Sequence, residues 1–179
     1  DFGWDHPTAL VWCAVDNESE TFYIYDCYRA SKASPTVHAQ NIRMRPHFIP
    51  IAYPHDGNRR DSMGNPGLAD QYRNLGCNFL LEHFTNPPAL GTNKGSNSIE
   101  EGLMAILQKI EAKKFKVFNT LGDWFEEFRM YHRKDGKVVP LRDDLMSATR
   151  YAFQSQRFAV AGEDPSWTAD VEYRNYGIV

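Results

Sequence analysis

The order of apolar and turn-forming segments constrains this chain most. Two apolar, aromatic-rich runs come first, Thr8 to Val15 and Glu20 to Tyr28, separated by Asp16-Asn17-Glu18-Ser19. Such runs on either side of turn chemistry predict a β-hairpin. Helical and strand patterns then alternate. Ser34-Pro35 supplies an N-cap and a first-turn proline for a helix that stops before Pro46. Phe48 to Tyr53 reads as a buried strand ended by Pro54 and Gly57, Gly67 to Leu75 as a short helix closed by Gly76, and Asn78 to Glu82 as another strand. Asn86 to Asn97 has the Pro, Gly, Asn and Thr content of a surface loop. Ser98-Ile99-Glu100-Glu101 is a capping box, and Ile99, Leu103, Ile106, Leu107 and Ile110 repeat at helical spacing to about Lys113. Lys114 to Phe118 suits a strand, Leu121 to His132 an aromatic-rich helix, and Lys134-Asp135-Gly136-Lys137 a tight turn. A last helix starts at Arg142 or Asp143. Strands first and alternation after predict an α/β fold, one mixed β-sheet with helices on both faces.

With 179 residues, 42% hydrophobic, the chain is long enough for one domain with a sizeable core. The pattern fades after Phe153, so the expected division is a domain over 1–153 and an extension over 154–179. No apolar run approaches the roughly 20 residues of a membrane span, and no charged-then-apolar leader is seen, so a soluble protein is expected. Cys13, Cys27 and Cys77 are odd in number and lie in apolar segments, which predicts reduced core thiols rather than disulfides. A net charge of −3 argues against strong autonomous DNA binding, which needs Lys and Arg against phosphates. Arg43-Met44-Arg45, Arg59-Arg60, Lys113-Lys114-Phe115-Lys116 and Arg133-Lys134 are either a phosphate-facing rim or solvated faces.

The chemistry is carried by acidic residues at the ends of elements: Asp1, Asp56 in Pro54-His55-Asp56-Gly57, and the pair Asp143-Asp144. Taken singly, Asp56 is equally a turn residue and either Asp143 or Asp144 an N-cap. As a set, carboxylates distant in sequence that a fold gathers make a site for Mg²⁺ or Mn²⁺, and two such ions cut phosphodiesters. Asp5 and His6 read as loop residues that orient Asp1, and His55 as a neighbour of Asp56. Trp12, Trp124, Phe125 and Phe128 are core aromatics or, less simply, base-stacking groups.

Asp1-Phe2-Gly3-Trp4-Asp5-His6-Pro7-Thr8-Ala9 before a hairpin, a strand ending in Asp56, and Arg142-Asp143-Asp144-Leu145-Met146-Ser147-Ala148-Thr149-Arg150-Tyr151-Ala152 near the end occur in a telling order. Over roughly Asp1 to Phe153 this resembles the nuclease domain of a tailed-bacteriophage terminase large subunit, of the RNase H-like superfamily. The resemblance implies an RNase H-like mixed sheet and a metal-dependent endonuclease that cuts concatemeric double-stranded DNA when genome packaging starts and ends. It implies catalytic and metal-holding roles for Asp1, Asp56 and Asp144, with Asp143 the alternative third ligand, and two Mg²⁺ or Mn²⁺ ions. It further implies a portal protein and a terminase small subunit as partners, the host cytoplasm as location, and an ATPase domain upstream in a longer chain. In that family the first strand precedes the first aspartate, whereas here Asp1 is the first residue. No G-x-x-x-x-G-K-[ST] phosphate loop occurs, so ATP hydrolysis is not expected of these residues. The loop 86–97 would border the DNA groove or be a plain surface loop. A junction resolvase or transposase on the same fold, and a portal-docking module using Trp167, Tyr173 and Tyr176, are the rival readings.

Overall fold

The computed structural model describes residues 1–59, 64, 66–88, 90–91 and 95–161. The predicted hairpin forms from β1 (Thr8–Asp16) and β2 (Thr21–Ala30), antiparallel along their whole length. Its register shifts where Trp12 faces Asp26 but Cys13 faces Ile24, which leaves Tyr25 as a bulge. Side chains alternate faces along a strand, so the extra residue inverts the parity of β2. That inversion puts both Ile24 and Cys27 on the face of Ala9, Val11 and Cys13, and Tyr25 and Tyr28 on the face of Leu10 and Trp12. The hairpin thereby serves two cores. β3 (Phe115–Val117) joins β2 in parallel, so the sheet is mixed, in the order β1-β2-β3.

Helices cover both faces, as predicted. On one, α4 (Gly122–Met130) and α5 (Asp144–Gln154) bury Leu121, Trp124, Leu145, Met146 and Phe153 against Phe22 and Ile24. α3 (Ile99–Glu111) packs on α5 on this side through its one fully buried residue, Gly102, and keeps Met104 and Leu107 exposed. On the other, α1 (Pro35–Arg43) and α2 (Leu68–Asn74) enclose Ala39, Ile42, Ala69 and Tyr72 with Trp12, Tyr53 and Phe79. Gly76 closes α2 with φ +81, and Cys77 N–H bonds back to Tyr72 O at 3.0 Å. Between α4 and α5, β4 (Arg133–Lys134) and β5 (Lys137–Val138) form a hairpin over Asp135 and Gly136, both at positive φ, as an Asp-Gly turn favours.

The two remaining predicted strands do not form as such. Phe48 to Tyr53 and Asn78 to Glu82 meet only in a parallel bridge between Ile51 and Phe79, with Ile51 N–H to Asn78 O at 2.8 Å and Leu80 N–H to Ile51 O at 3.0 Å. Ile51 and Tyr53 face that partner, whereas Pro50 and Pro54 face the other way, where they have no N–H to offer a second strand. The Ser98 cap is present, accepting from Glu101 N–H at 3.4 Å, but the capping box is not reciprocal: the Glu101 carboxylate accepts from Ser96 Oγ and Asn86 Nδ2 instead.

All three cysteines are free and sit in the two cores, and burial raises each thiol above its usual range. Among the described residues no helix is long and apolar enough to cross a membrane. The end of the chain, with Trp167, Tyr173 and Tyr176, and parts of the loop 86–97 lie outside the described residues.

Candidate active site

Asp1 is laid down as a strand residue. Its amine donates to Ala9 O at 2.7 Å and its carbonyl accepts from Ala9 N–H at 3.0 Å, so it pairs antiparallel with the start of β1. The intervening loop is tied at its neck, where Thr8 Oγ1 both accepts from Gly3 N–H and donates to Gly3 O. A side chain at Gly3 would place Cβ 2.3 Å from His6 O, so this turn requires glycine.

Phe2 turns into the second core and stacks on Tyr72 and Phe79, with centroids 5.7 and 6.1 Å apart. Asp56 follows Pro54 in the 3₁₀ turn His55–Asn58. Gly57 lies against the same aromatic rings: a Cβ there would be 2.6 Å from Phe2 Cε2 and 2.6 Å from Tyr53 Cδ2. One packed contact therefore sets the residues after Asp1 and after Asp56 relative to each other. Gly57→Ala is expected to cost about 1–3 kcal/mol by overpacking and to displace Asp56 from Asp1. Urea unfolding measures the first effect and cleavage rate the second; an unchanged urea midpoint would refute the contact.

The third position is fixed from below. Glu127 on α4 is fully buried, and its carboxylate accepts from Leu145 N–H at 2.7 Å and from Arg29 Nη1 at 3.0 Å. A glutamate from a neighbouring helix thus satisfies an end amide of α5. Trp124 Nε1 donates to Thr149 Oγ1 at 2.9 Å, and Thr149 donates to Leu145 O at 2.7 Å, which clamps the next turn. Asp143 occupies the N-cap position, yet its side chain makes no capping bond. The purely structural role that the sequence allowed for Asp143 is not the one it plays.

Burial raises the carboxyls of both Asp143 and Asp144. For Asp143 the charge of Asp144 adds to the rise, while His6 opposes it for both. Asp144 and Asp56 both lie near enough to the Asp1 backbone nitrogen to act on it electrostatically. Asp1, Asp56 and Asp144 therefore share one end of the sheet. They do not close on a common point: among the described residues no three His, Cys, Asp or Glu side chains stand close enough to hold an ion.

Beside this end lies an open groove of about 470 Å³ lined by His6, Arg29, Glu126, Glu127, Arg142 and Asp144; of the predicted site residues only Asp144 is in its wall, and Asp1, Asp56 and Asp143 are not. Arg29 is held by Asp123, Glu126 and Glu127, so its charge belongs to the scaffold. Several expected rim cations are also engaged: Arg45 with Asp26 and over the Trp12 ring, Lys114 with Glu20, Arg133 with Glu100. Arg142, at the groove and 63% exposed, makes only a 3.5 Å contact to Glu126. The sequence patterns single out neither Arg29 nor Glu127, and Arg142 only as the start of the last helix and its motif. For Glu127 a signal existed, since it stands three residues after Trp124 and so on the buried stripe of its helix.

The profile of the Terminase RNaseH-like domain matches residues 1–156. The chain belongs to this family. As a terminase domain it is 36% identical over 160 residues to the large subunit of Salmonella phage P22, and 36% over 154 residues to that of Enterobacteria phage LP7. These alignments take in 89% and 86% of this chain but 31% of each large subunit, so the chain spans about a third of their length. The solved P22 large terminase nuclease domain superposes with a TM-score of 0.78 at 36% identity, covering 89% of this chain and 79% of that one. The RNase H-like mixed sheet flanked by helices is thus the fold of this terminase domain.

Proposed function

We propose that this terminase domain is an endonuclease dependent on Mg²⁺ or Mn²⁺, which cuts concatemeric double-stranded viral DNA at the initiation and termination of packaging. The observation that carries the reading is the gathering of Asp1, Asp56 and Asp144 at one sheet end, in a domain that superposes on a terminase nuclease domain. The donor set fits such ions: it is all carboxylate oxygen, and the burial that raises Asp143 and Asp144, to which the charge of Asp144 adds at Asp143, favours a divalent counter-charge. Asp1, Asp56 and Asp144 would hold the metal, with Asp143 the alternative third ligand. A pair of ions held there would supply Lewis-acid assistance to the attack of water and the departure of the 3′-oxygen.

The chain's own residues supply the rest. Glu127 and Arg29 hold Asp144 in place, the Phe2–Gly57 contact holds Asp56, and Arg142 is an exposed cation at the groove, placed to meet a backbone phosphate. Contacts of that kind position DNA without reading its sequence. On this reading the nuclease domain is residues 1–153, residues 154–179 are an extension, and the larger protein adds an ATPase domain upstream, with portal and small-subunit partners in the host cytoplasm.

Supercoiled plasmid incubated with the purified domain and Mn²⁺ is expected to be nicked and linearised, and EDTA is expected to stop it. A folded domain that leaves plasmid intact in Mn²⁺ would overturn the reading. Equal rates on linear duplex and on four-way junctions fit a terminase; a strong preference for junctions would favour a resolvase.

A further inference from the structure

Trp4 is an unusual residue to find in solvent. Tryptophan is mostly buried in folded proteins, and Trp12 and Trp124 are 5% and 3% exposed here, yet Trp4 is 58% exposed. Its backbone is nonetheless fixed. Gly3 is tied to Thr8 through both its N–H and its carbonyl, and Trp4 O accepts from Lys32 N–H at 2.8 Å. Lys32 is itself turned into the left-handed region, at φ +53. The position is informative. Asp5, His6 and Pro7 from one segment, and Arg29, Ala30 and Ser31 from another, line the groove that holds Asp144. Trp4 precedes the first segment and Lys32 follows the second, so their hydrogen bond joins the two at the rim, and both residues are exposed there.

The groove itself is short of cations. Asp5, Glu126, Glu127 and Asp144 stand in its wall against Arg142 and Arg29, and three carboxylates already hold Arg29. Phosphate contacts are therefore a weak source of grip inside it. An aromatic platform supplies grip that this charge does not oppose, and it tolerates any sequence because every base has a π-face. We propose that Trp4 is a stacking platform for a nucleobase of the strand that enters this groove, with Lys32 beside it meeting a backbone phosphate. The proposal takes its substrate, DNA, from the nuclease reading above. A base inside a duplex has both faces covered by its neighbours, so the contact needs a base that has left the stack. A platform on a fixed backbone loses less freedom when a base settles on it.

The test is binding in EDTA, read by fluorescence anisotropy of a labelled short oligothymidylate and of an abasic strand of the same length, which keeps the phosphates and lacks the bases. Wild type is expected to bind the oligothymidylate about 5-fold or more tightly than the abasic strand, the scale of one stacked base. Trp4→Ala is expected to bind the two strands alike, and Trp4→Phe to keep most of the difference. Both variants are expected to unfold at the wild-type urea midpoint, because the side chain is exposed, so a change in binding reports contact and not folding. Lys32→Ala is expected to weaken both strands equally and to reduce the slope of log affinity against log salt by about 0.7. Wild-type protein that binds the two strands alike, or a base preference that survives Trp4→Ala, overturns the role of Trp4; a wild-type salt slope in Lys32→Ala overturns that of Lys32. Plasmid nicking in Mn²⁺ keeps the two readings apart. A base preference that depends on Trp4, in a protein that never nicks, supports the stacking contact and removes the nuclease reading; nicking without any base preference does the reverse.

Discussion

Asp144→Asn is expected to reduce Mn²⁺-dependent nicking by roughly 10²–10³-fold or more, the scale on which a directly placed electrostatic group acts in catalysis. The fold should survive the change. Asp144 is 8% exposed, and burial already works against its charged form, so an uncharged isostere removes a cost. Leu145 N–H keeps its acceptor on Glu127, and the Thr149 clamp is untouched. Metal-free Asp144→Asn should therefore unfold at a urea concentration equal to or above that of wild type. Asp143→Asn is expected to slow nicking about tenfold or less, because Asp144, not Asp143, faces the groove. Initial nicking rates for the two variants, beside their circular dichroism, make the comparison. A fast Asp144→Asn enzyme with a slow Asp143→Asn one would exchange the two roles.

The largest loss of stability is expected from Glu127→Ala, about 3–5 kcal/mol, the scale for removing one partner of a buried ion pair. Glu127 is 0% exposed and serves two donors at once, Leu145 N–H and Arg29 Nη1. Burial raises its carboxyl even though Arg29 and the amide favour the charge, while the carboxylates around Arg29 push that guanidinium the other way, further into its charged form. The two shifts point to a pair held by geometry at a cost of desolvation. Truncating the acid leaves a buried amide and one edge of the guanidinium unmet. Glu126→Ala breaks a bond to the same arginine, but Glu126 is 46% exposed and should cost about 0–1 kcal/mol. Urea unfolding of both variants decides the matter, and similar small losses would show that Glu127 holds nothing in place. Nicking should fall with Glu127→Ala even at temperatures where the variant stays folded, since α5 loses the bond that sets its first turn.

Much of this architecture is legible because local signals agree with the fold. The hairpin has its turn residues and aromatic runs, Gly76 closes a helix, and Asp135-Gly136 makes the only kind of two-residue turn that an Asp-Gly pair favours. The failures also have local causes. Phe48 to Tyr53 has the hydropathy of a buried strand, but it pairs with its neighbour only at Ile51, and Pro50 and Pro54 have no N–H to offer a partner on the other side. The bulge at Tyr25 has no hydropathy signature, because aromatic and apolar residues stand on both faces of β2 around it. At the site, the aspartates stand out by lying at the ends of elements. The groups that hold them do not, since the pair that sets the first turn of α5, Arg29 and Glu127, spans 98 positions. Pairings of that range depend on the tertiary fold.

A metal-dependent nuclease requires Asp1, Asp56 and Asp144 to close around divalent cations. Crystals of the domain soaked in Mn²⁺, with anomalous scattering recorded, address this directly. The expected result is one or two anomalous peaks bounded by the carboxylates of Asp1, Asp56 and Asp144, lost when Asp56 is replaced by Asn. Saturating Mn²⁺ that leaves no peak among these three residues, in a crystal whose dissolved protein still nicks plasmid, would contradict it.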